Sequence, residues 1–468
     1  MLDKKDLSTL SRRDAMKLLG LTSGGATLSA SSASAATEAK ALSTNANILI
    51  VGGGSAGIDM AARLNRELDG ASITIVDPND LHVYQPGQTL VGCGVYSYDH
   101  ITWAKQKDYI PNGVKWIKDI VVELNPDSNQ AIVADGQVLT YDYLILTPGM
   151  KYEWEKIDGL SHSDIGKDGI HSVFDLEGSL ECYKGLEAFS EGSGGDMIFT
   201  HPATPIKCGG APKKINMMSD AYLRRHGTRG KANITFCPAG GSMFSIPSFD
   251  AELKRIYTNR DMNMNLSHNL VAIDKSNKIA TFEHTVTTEV EEYDEILEET
   301  IMVSKSRKEM VDMPYDFLHV TPPMRAVDVV ANSPLAWDRG SAAEGGWAMA
   351  DQFTLQHLKY ENVFVLGDVA GIPLGKTGAS ARKQAPIVVE NLKAVMQGNA
   401  PQAKFNGYTA CPMLTDYGLV LLAEFGYNGK LLPTIPFLEP AKQRYIWWLM
   451  KVYVLEPLYY HGMLRGIV

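Results

Sequence analysis

The chain has 468 residues, enough for two or three domains, and the 45% hydrophobic and 21% charged shares of an ordinary globular protein. A net charge of −10 with no basic tract excludes nucleic acid as a partner. Five cysteines are too few for a disulfide scaffold, and the odd count leaves at least one thiol unpaired.

Residues 1–36 read as a targeting segment, not as fold. Ser11-Arg12-Arg13-Asp14-Ala15-Met16-Lys17 sets twin arginines before a modest apolar stretch, Leu18 to Ala30, and Ala33-Ser34-Ala35 offers a small-residue cleavage site. The pattern resembles a bacterial twin-arginine export signal, a route for folded, cofactor-loaded proteins; the alternative is a disordered basic N-terminus. Export would put the protein on the periplasmic side of the cytoplasmic membrane. No later run of 18 or more apolar residues follows, so any membrane contact is expected to be peripheral.

Asn47-Ile-Leu-Ile-Val51 is a short apolar strand running into Gly52-Gly53-Gly54-Ser55-Ala56-Gly57 and a helical pattern through Leu68. A second strand, Ser72 to Val76, ends in Asp77, 20 residues after Gly57. The pattern is a βαβ dinucleotide unit. Gly52, Gly54 and Gly57 let backbone approach a pyrophosphate at the helix N-terminus, where Ser55 and Ala56 stand; Asp77 can accept from a ribose. Two later strands also end in glycine turns: Tyr141 to Thr147 before Pro148-Gly149, and Asn362 to Leu366 before Gly367-Asp368. In two-domain flavoproteins such turns are further FAD contacts. The aspartate then meets the ribityl chain, and a helix, here starting near Lys376-Thr377-Gly378-Ala379, points its N-terminus at the flavin. All three motifs in this order favour FAD at the first site; either later motif alone is a generic strand and turn.

Residues 161–315 form a second α/β segment. Its opening strand, Asp196 to Thr200, is followed by His201-Pro-Ala-Thr-Pro-Ile-Lys-Cys208, with prolines and a cysteine where a second phosphate-cradling loop would stand. No nicotinamide nucleotide is expected there. The acidic run Thr288 to Thr300 reads as a solvated excursion. From Arg444 the chain is rich in Tyr and Trp with sparse Lys and Arg, and is broken by Pro457 and Gly462. It reads as membrane-surface docking, with a core or dimer-interface helix as the alternative.

Cys208 and Cys411 each sit beside Gly or Pro, in sequences that read as turns where a thiol is reachable. Lys207 adjoins Cys208, and Lys213 and Lys214 follow in a helical stretch, so deprotonation is favoured. Thiols in a chain with a redox nucleotide point to electron transfer from sulfur. Cys182 and Cys237 read as small buried apolar residues, Cys93 follows a loop expected near the flavin, and no metal site is expected.

His82-Val-Tyr-Gln85-Pro, Trp116-Ile-Lys, Glu123-Leu-Asn-Pro-Asp, Thr204-Pro-Ile-Lys-Cys208, His319-Val-Thr-Pro-Pro323, Lys376-Thr377 and Gly407-Tyr-Thr-Ala-Cys411-Pro together carry a likeness. From about Asn47 to Gly466 the chain resembles the sulfide:quinone oxidoreductases, of the branch that includes the mitochondrial enzyme. The Cys411 motif, with Leu422-Ala-Glu-Phe425 after it, is specific rather than generic.

The resemblance implies an α/β, glutathione-reductase-like flavoprotein with two Rossmann-like domains, FAD-binding over 46–160 and 316–400 and the second over 161–315. Residues 401–468 would then carry the second redox cysteine and amphipathic membrane-docking helices. It implies FAD contacts at Gly52, Gly54, Ser55, Ala56, Gly57, Asp77, Gln85, Val121, Gly149, Gly367, Asp368, Lys376, Thr377, Gly378 and Ala379. It further implies a Cys208–Cys411 disulfide, sometimes holding an inserted sulfur, that hydrosulfide opens on the Cys411 side to leave a persulfide there. Cys208 then passes electrons to the flavin, a sulfane-sulfur acceptor (small thiol, sulfite or sulfide) clears the persulfide, and membrane quinone reoxidises the flavin.

Phe425 and Tyr427 are candidates for the quinone wall, and His171 and His201 for proton relay. Covalent FAD is not expected, because Val83-Tyr84-Gln85 holds no cysteine, and Val369 stands where the mitochondrial branch has one. Three alternatives stay open: the flavoprotein subunit of a flavocytochrome c sulfide dehydrogenase, a non-catalytic exported sulfide sensor, and, less favoured by the missing second glycine motif, a type II NADH dehydrogenase. Oligomeric state, a homo-oligomer included, is left open.

Overall fold

The computed structural model describes residues 41–294 and 299–468; the twin-arginine segment lies outside the described residues. Asn47–Val51, the apolar strand of the nucleotide motif, is the centre of a parallel sheet ordered Val363–Val365, Tyr143–Leu146, Asn47–Val51, Ser72–Val76, Lys115–Ile117. Its residues from Ile48 to Val51 are all buried, as expected where helices cover both faces of a parallel sheet. The helix Ser55–Glu67 leaves the central strand through the glycine loop and packs on the long helix Gly378–Met396. The carboxyl ends of three strands thus meet at Gly52, Gly149 and Gly367, the crevice where open α/β sheets bind ligands.

A second parallel sheet is ordered Ile170–His171, Phe317–His319, Gly195–His201, Ala232–Pro238, Asn263–Met264. Because Phe317–His319 pairs with Gly195–His201, the return to the first domain comes a few residues after the expected boundary at 315. The acidic run lies on a long antiparallel hairpin, Ile279–Asp294 against Glu299–Pro314, whose described outer residues are mostly exposed; residues 295–298 lie outside the described residues.

After Gly378–Met396 the chain forms the hairpin Thr409–Asp416/Leu419–Phe425, then a helix in three parts: Tyr445–Leu449, a π-helical turn Met450–Val454, and Leu455–His461. Pro457 has no N–H to give the preceding turn, and the Tyr96 hydroxyl donates to the Val452 carbonyl instead. The aromatic rings that suggested a membrane face point inward. Trp447, Trp448, Tyr459 and Tyr460 belong to the buried core, with Tyr460 1% exposed. Composition alone cannot separate a lipid interface from a domain interior, since both take up large rings with a polar tip. Among the described residues no helix is long and apolar enough to cross a membrane.

Candidate active site

The nucleotide loop is built by close approach. Gly52 has φ +97°, and a Cβ there would lie 2.5 Å from Thr147 O; one on Gly57 would lie 1.9 Å from Gly52 O. Gly53, the unspecified position of the sequence motif, is equally constrained: its Cβ would sit 2.4 Å from Gln106 Nε2 and 2.8 Å from Asp77 Cβ. Asp77 Oδ2 accepts from Gly53 N at 2.7 Å, so the acid at the end of the second strand also holds the loop. At Gly54, Gly149 and Gly378, by contrast, a Cβ would meet nothing within 4 Å. The backbone is bare on the sides where a dinucleotide would lie, so these residues fit FAD. Val121 is buried at the start of the strand Val121–Asn125.

Five stretches of chain converge on the cysteines. Cys208 (φ +51°) ends a turn, its N–H donating to Lys376 O at 2.9 Å and its carbonyl accepting from Ala211 N at the head of the helix Ala211–Arg225. Cys411 is on the strand Thr409–Asp416 rather than in a turn, and is 5% exposed, more enclosed than its Pro neighbour suggested. A Cβ on Gly210 would come within 2.1 Å of Cys411 Sγ, so glycine there lets the two thiols meet. Thr377, N-cap of Gly378–Met396, lies 3.2 Å from Thr409 through their hydroxyls. Both cysteines are therefore tied to Lys376-Thr377, the start of the helix expected at the flavin.

Three buried lysines surround the pair. Lys214 Nζ donates to Cys208 Sγ at 3.1 Å. Lys213 Nζ donates to Gly209 O at 3.1 Å and lies 3.2 Å from His201 Nδ1. Lys451, on the π turn of the C-terminal helix, donates to Pro86 O at 2.8 Å. The hydrogen bond from Cys411, then the charges of Lys214 and Lys451, hold the Cys208 thiol well below its ordinary pKa. The same hydrogen bond and burial push Cys411 up. Cys208 is thus the more acidic thiol of the pair and Cys411 the less acidic. Burial lowers Lys213 to about 8 and Lys451 to about 7, while Lys214, in contact with the thiolate, goes up despite its burial. Burial also pushes Cys93 and Cys237 up to about 12, which leaves them inert.

The remaining expected residues divide. Lys207 reaches away to Gln85 Oε1, 2.8 Å, and the Tyr152 ring. Lys376 Nζ donates to the Asp368 and Ala370 carbonyls and lies 3.5 Å over the Trp347 ring. His201 joins the cysteine site through Lys213; His171 stacks on Phe317 in the second sheet, its pKa lowered by burial to about 4. Phe425 is buried against Phe244, and Tyr427 packs on Phe353 and Phe405 with its hydroxyl on Gln352 O. Lys451 carried no signal in the sequence, since only the fold brings it beside Cys208.

Residues 46–179 match the pyridine nucleotide-disulphide oxidoreductase family. The chain is 38% identical over 419 residues to the mitochondrial sulfide:quinone oxidoreductase of Mus musculus, covering 90% of this chain and 86% of that protein. The chain belongs to the sulfide:quinone oxidoreductase family. The mitochondrial sulfide:quinone oxidoreductase of Dictyostelium discoideum is 37% identical, with 94% of this chain and 90% of the relative covered. The crystal structure of the sulfide:quinone oxidoreductase from Aquifex aeolicus shares the fold, with a TM-score of 0.68 at 17% identity over 90% of this chain and 92% of that one. Members of this sulfide:quinone oxidoreductase family are flavoproteins with FAD as cofactor. The mitochondrial names of these relatives lend no support to twin-arginine export.

Proposed function

We propose that this protein oxidises sulfide at Cys208 and Cys411 and delivers two electrons through FAD to quinone. The observation that carries the reading is the Lys214–Cys208 contact of 3.1 Å beside Cys411, at the start of the Gly378–Met396 helix. In the oxidised form the two sulfurs are joined. Hydrosulfide attacks the Cys411 sulfur; a new S–S bond forms there as the Cys411–Cys208 bond breaks, giving a Cys411 persulfide and a Cys208 thiolate. Lys214 and Lys451 stabilise that leaving thiolate as it gains negative charge. An acceptor thiol, sulfite or sulfide takes the outer sulfur and leaves a Cys411 thiolate. Rejoining the two sulfurs then releases two electrons. FAD, when bound by Gly52, Gly54, Gly57, Asp77, Gly367 and the start of the Gly378–Met396 helix, supplies the two-electron acceptor between thiol and quinone.

Membrane contact is proposed on the loop after the cysteine hairpin and the start of the helix that follows it, where Phe437 is 86% exposed and Leu431 and Ile446 are also exposed. Phe437→Glu should reduce co-sedimentation with vesicles. Periplasmic export rests on Arg12-Arg13 and Ala33-Ser34-Ala35; replacing both arginines with lysine should retain the protein in the cytoplasm of a bacterial host.

The deciding experiment is an anaerobic titration with sulfide at the flavin bands, followed by a short-chain quinone. Bleaching by sulfide and recovery on quinone is the expected result. A flavin that sulfide cannot reduce removes the assignment, and one reoxidised only by cytochrome c moves the protein to the flavocytochrome class.

A further inference from the structure

A buried chain of hydrogen bonds joins the nucleotide loop to the C-terminal helix. Gln106 Nε2 donates to Gly53 O at 2.6 Å, which fixes the amide so that its Oε1 faces His82 Nδ1 at 2.9 Å. An amide oxygen only accepts, so Nδ1 carries the proton. Burial lowers the His82 pKa, and the other ring nitrogen of a neutral imidazole only accepts. The Tyr459 hydroxyl, 2.6 Å away, therefore donates to His82 Nε2. Its oxygen is left to accept from Ser55 Oγ at 2.7 Å, at the first turn of the helix Ser55–Glu67. Every donor and acceptor role in the chain is fixed, and His82, Gln106 and Tyr459 are all buried. Further along the same helix, Arg66 donates to Gly466 O at 2.6 Å. The C-terminal segment is thus fastened along the helix whose N-terminus faces the pyrophosphate site.

We infer that Tyr459 is a positioning residue for FAD: by tethering Ser55 while Gln106 tethers Gly53, it holds the glycine loop open for the pyrophosphate, so that cofactor retention and seating of the C-terminal helix are coupled. A loop already pinned on both flanks loses less conformational freedom when the dinucleotide binds. The reverse also holds by linkage: what favours the bound loop favours the docked helix. The inference rests on FAD occupying this loop.

The test compares FAD release from purified holoenzyme, followed by flavin fluorescence in a chaotropic buffer below the unfolding transition. Losing one buried, polarised hydrogen bond predicts about tenfold faster release for Tyr459→Phe. Ser55→Ala breaks the same link from the other side without touching the C-terminal helix and should act alike. Tyr460→Phe is the control, because the Tyr460 hydroxyl has no partner. In hydrogen exchange, removing FAD should speed exchange over residues 455–465 of the wild-type protein and leave Tyr459→Phe much less affected. Release rates within twofold of wild type for both Tyr459→Phe and Ser55→Ala overturn the inference, as does unchanged exchange on FAD removal. Wild-type protein purified without flavin would instead overturn the FAD assignment itself.

Discussion

Lys214 and Cys208 lie on one short stretch of chain, the ammonium donating to the sulfur at 3.1 Å from just inside the helix that Cys208 precedes. The cation, a second buried lysine and the Cys411 thiol select one sulfur of the pair as the anion. That asymmetry gives the exchange a direction: the better leaving group is Cys208, so attack falls on Cys411.

Removing the cation should weaken the selection. With Lys214→Met the Cys208 pKa rises, so less of it is thiolate at any given pH below the ordinary thiol range. Iodoacetamide labelling of the reduced protein, read by mass spectrometry across pH, should shift its midpoint upward and slow on the acid side of that midpoint. An unmoved midpoint would show that Cys411 alone lowers the pKa.

Cys208→Ser and Cys411→Ser should each lower sulfide-driven flavin reduction by about a thousandfold or more, since the two sulfurs act as a unit. Flavin content should stay at the wild-type value. The reduced Cys411→Ser protein should still label at Cys208, with its pH midpoint raised, because Lys214 remains while the thiol hydrogen bond that lowers the Cys208 pKa most is gone.

Gly210→Ala tests the fit between the thiols. The backbone at Gly210 (φ −89°, ψ −12°) accepts alanine, but the new methyl would sit 2.1 Å from Cys411 Sγ. The sulfur must move, and sulfide-driven reduction should fall by about a hundredfold with FAD retained. Gly209→Ala, where a Cβ meets nothing within 4 Å, should leave the rate within about twofold of wild type.

Asp220→Asn addresses the frame that carries both cysteines. Fully buried Asp220 accepts from Arg224 Nε and Arg229 Nε, each at 2.8 Å, and Arg224 also reaches Asp416 on the Cys411 strand at 2.9 Å. Neutralising the shared partner of these guanidinium groups should cost about 3–5 kcal/mol in a urea titration. A loss below 1 kcal/mol would show the cluster to be solvated.

The nucleotide site was legible because its determinants are local: strand, glycine loop, helix and acid fall within about thirty residues, Asn47 to Asp77, and short-range sterics dictate their form. Cys208 and Cys411 were legible through the motifs around them. Lys451 was not, since nothing near it in the chain marks a lysine bound for Pro86 and the thiols. Tyr459 and Trp448 were misleading for a related reason, their amphipathic rings suiting a lipid boundary as well as a protein interior. The Gly53 constraint, too, comes from Gln106, more than fifty residues away.

The thiolate site draws on Cys208, Cys411 and Lys451, so during synthesis it is completed only after Lys451 has been made. When Cys208 leaves the ribosome, the thiol that will hydrogen-bond it and one of its cations have not been made. Until the final helix seats, the sulfur lacks both, and so lacks much of what sets its low pKa. A nascent chain of this protein therefore carries a comparatively quiet cysteine past the oxidants and electrophiles of the cell, and its nucleophilicity switches on only with completed folding.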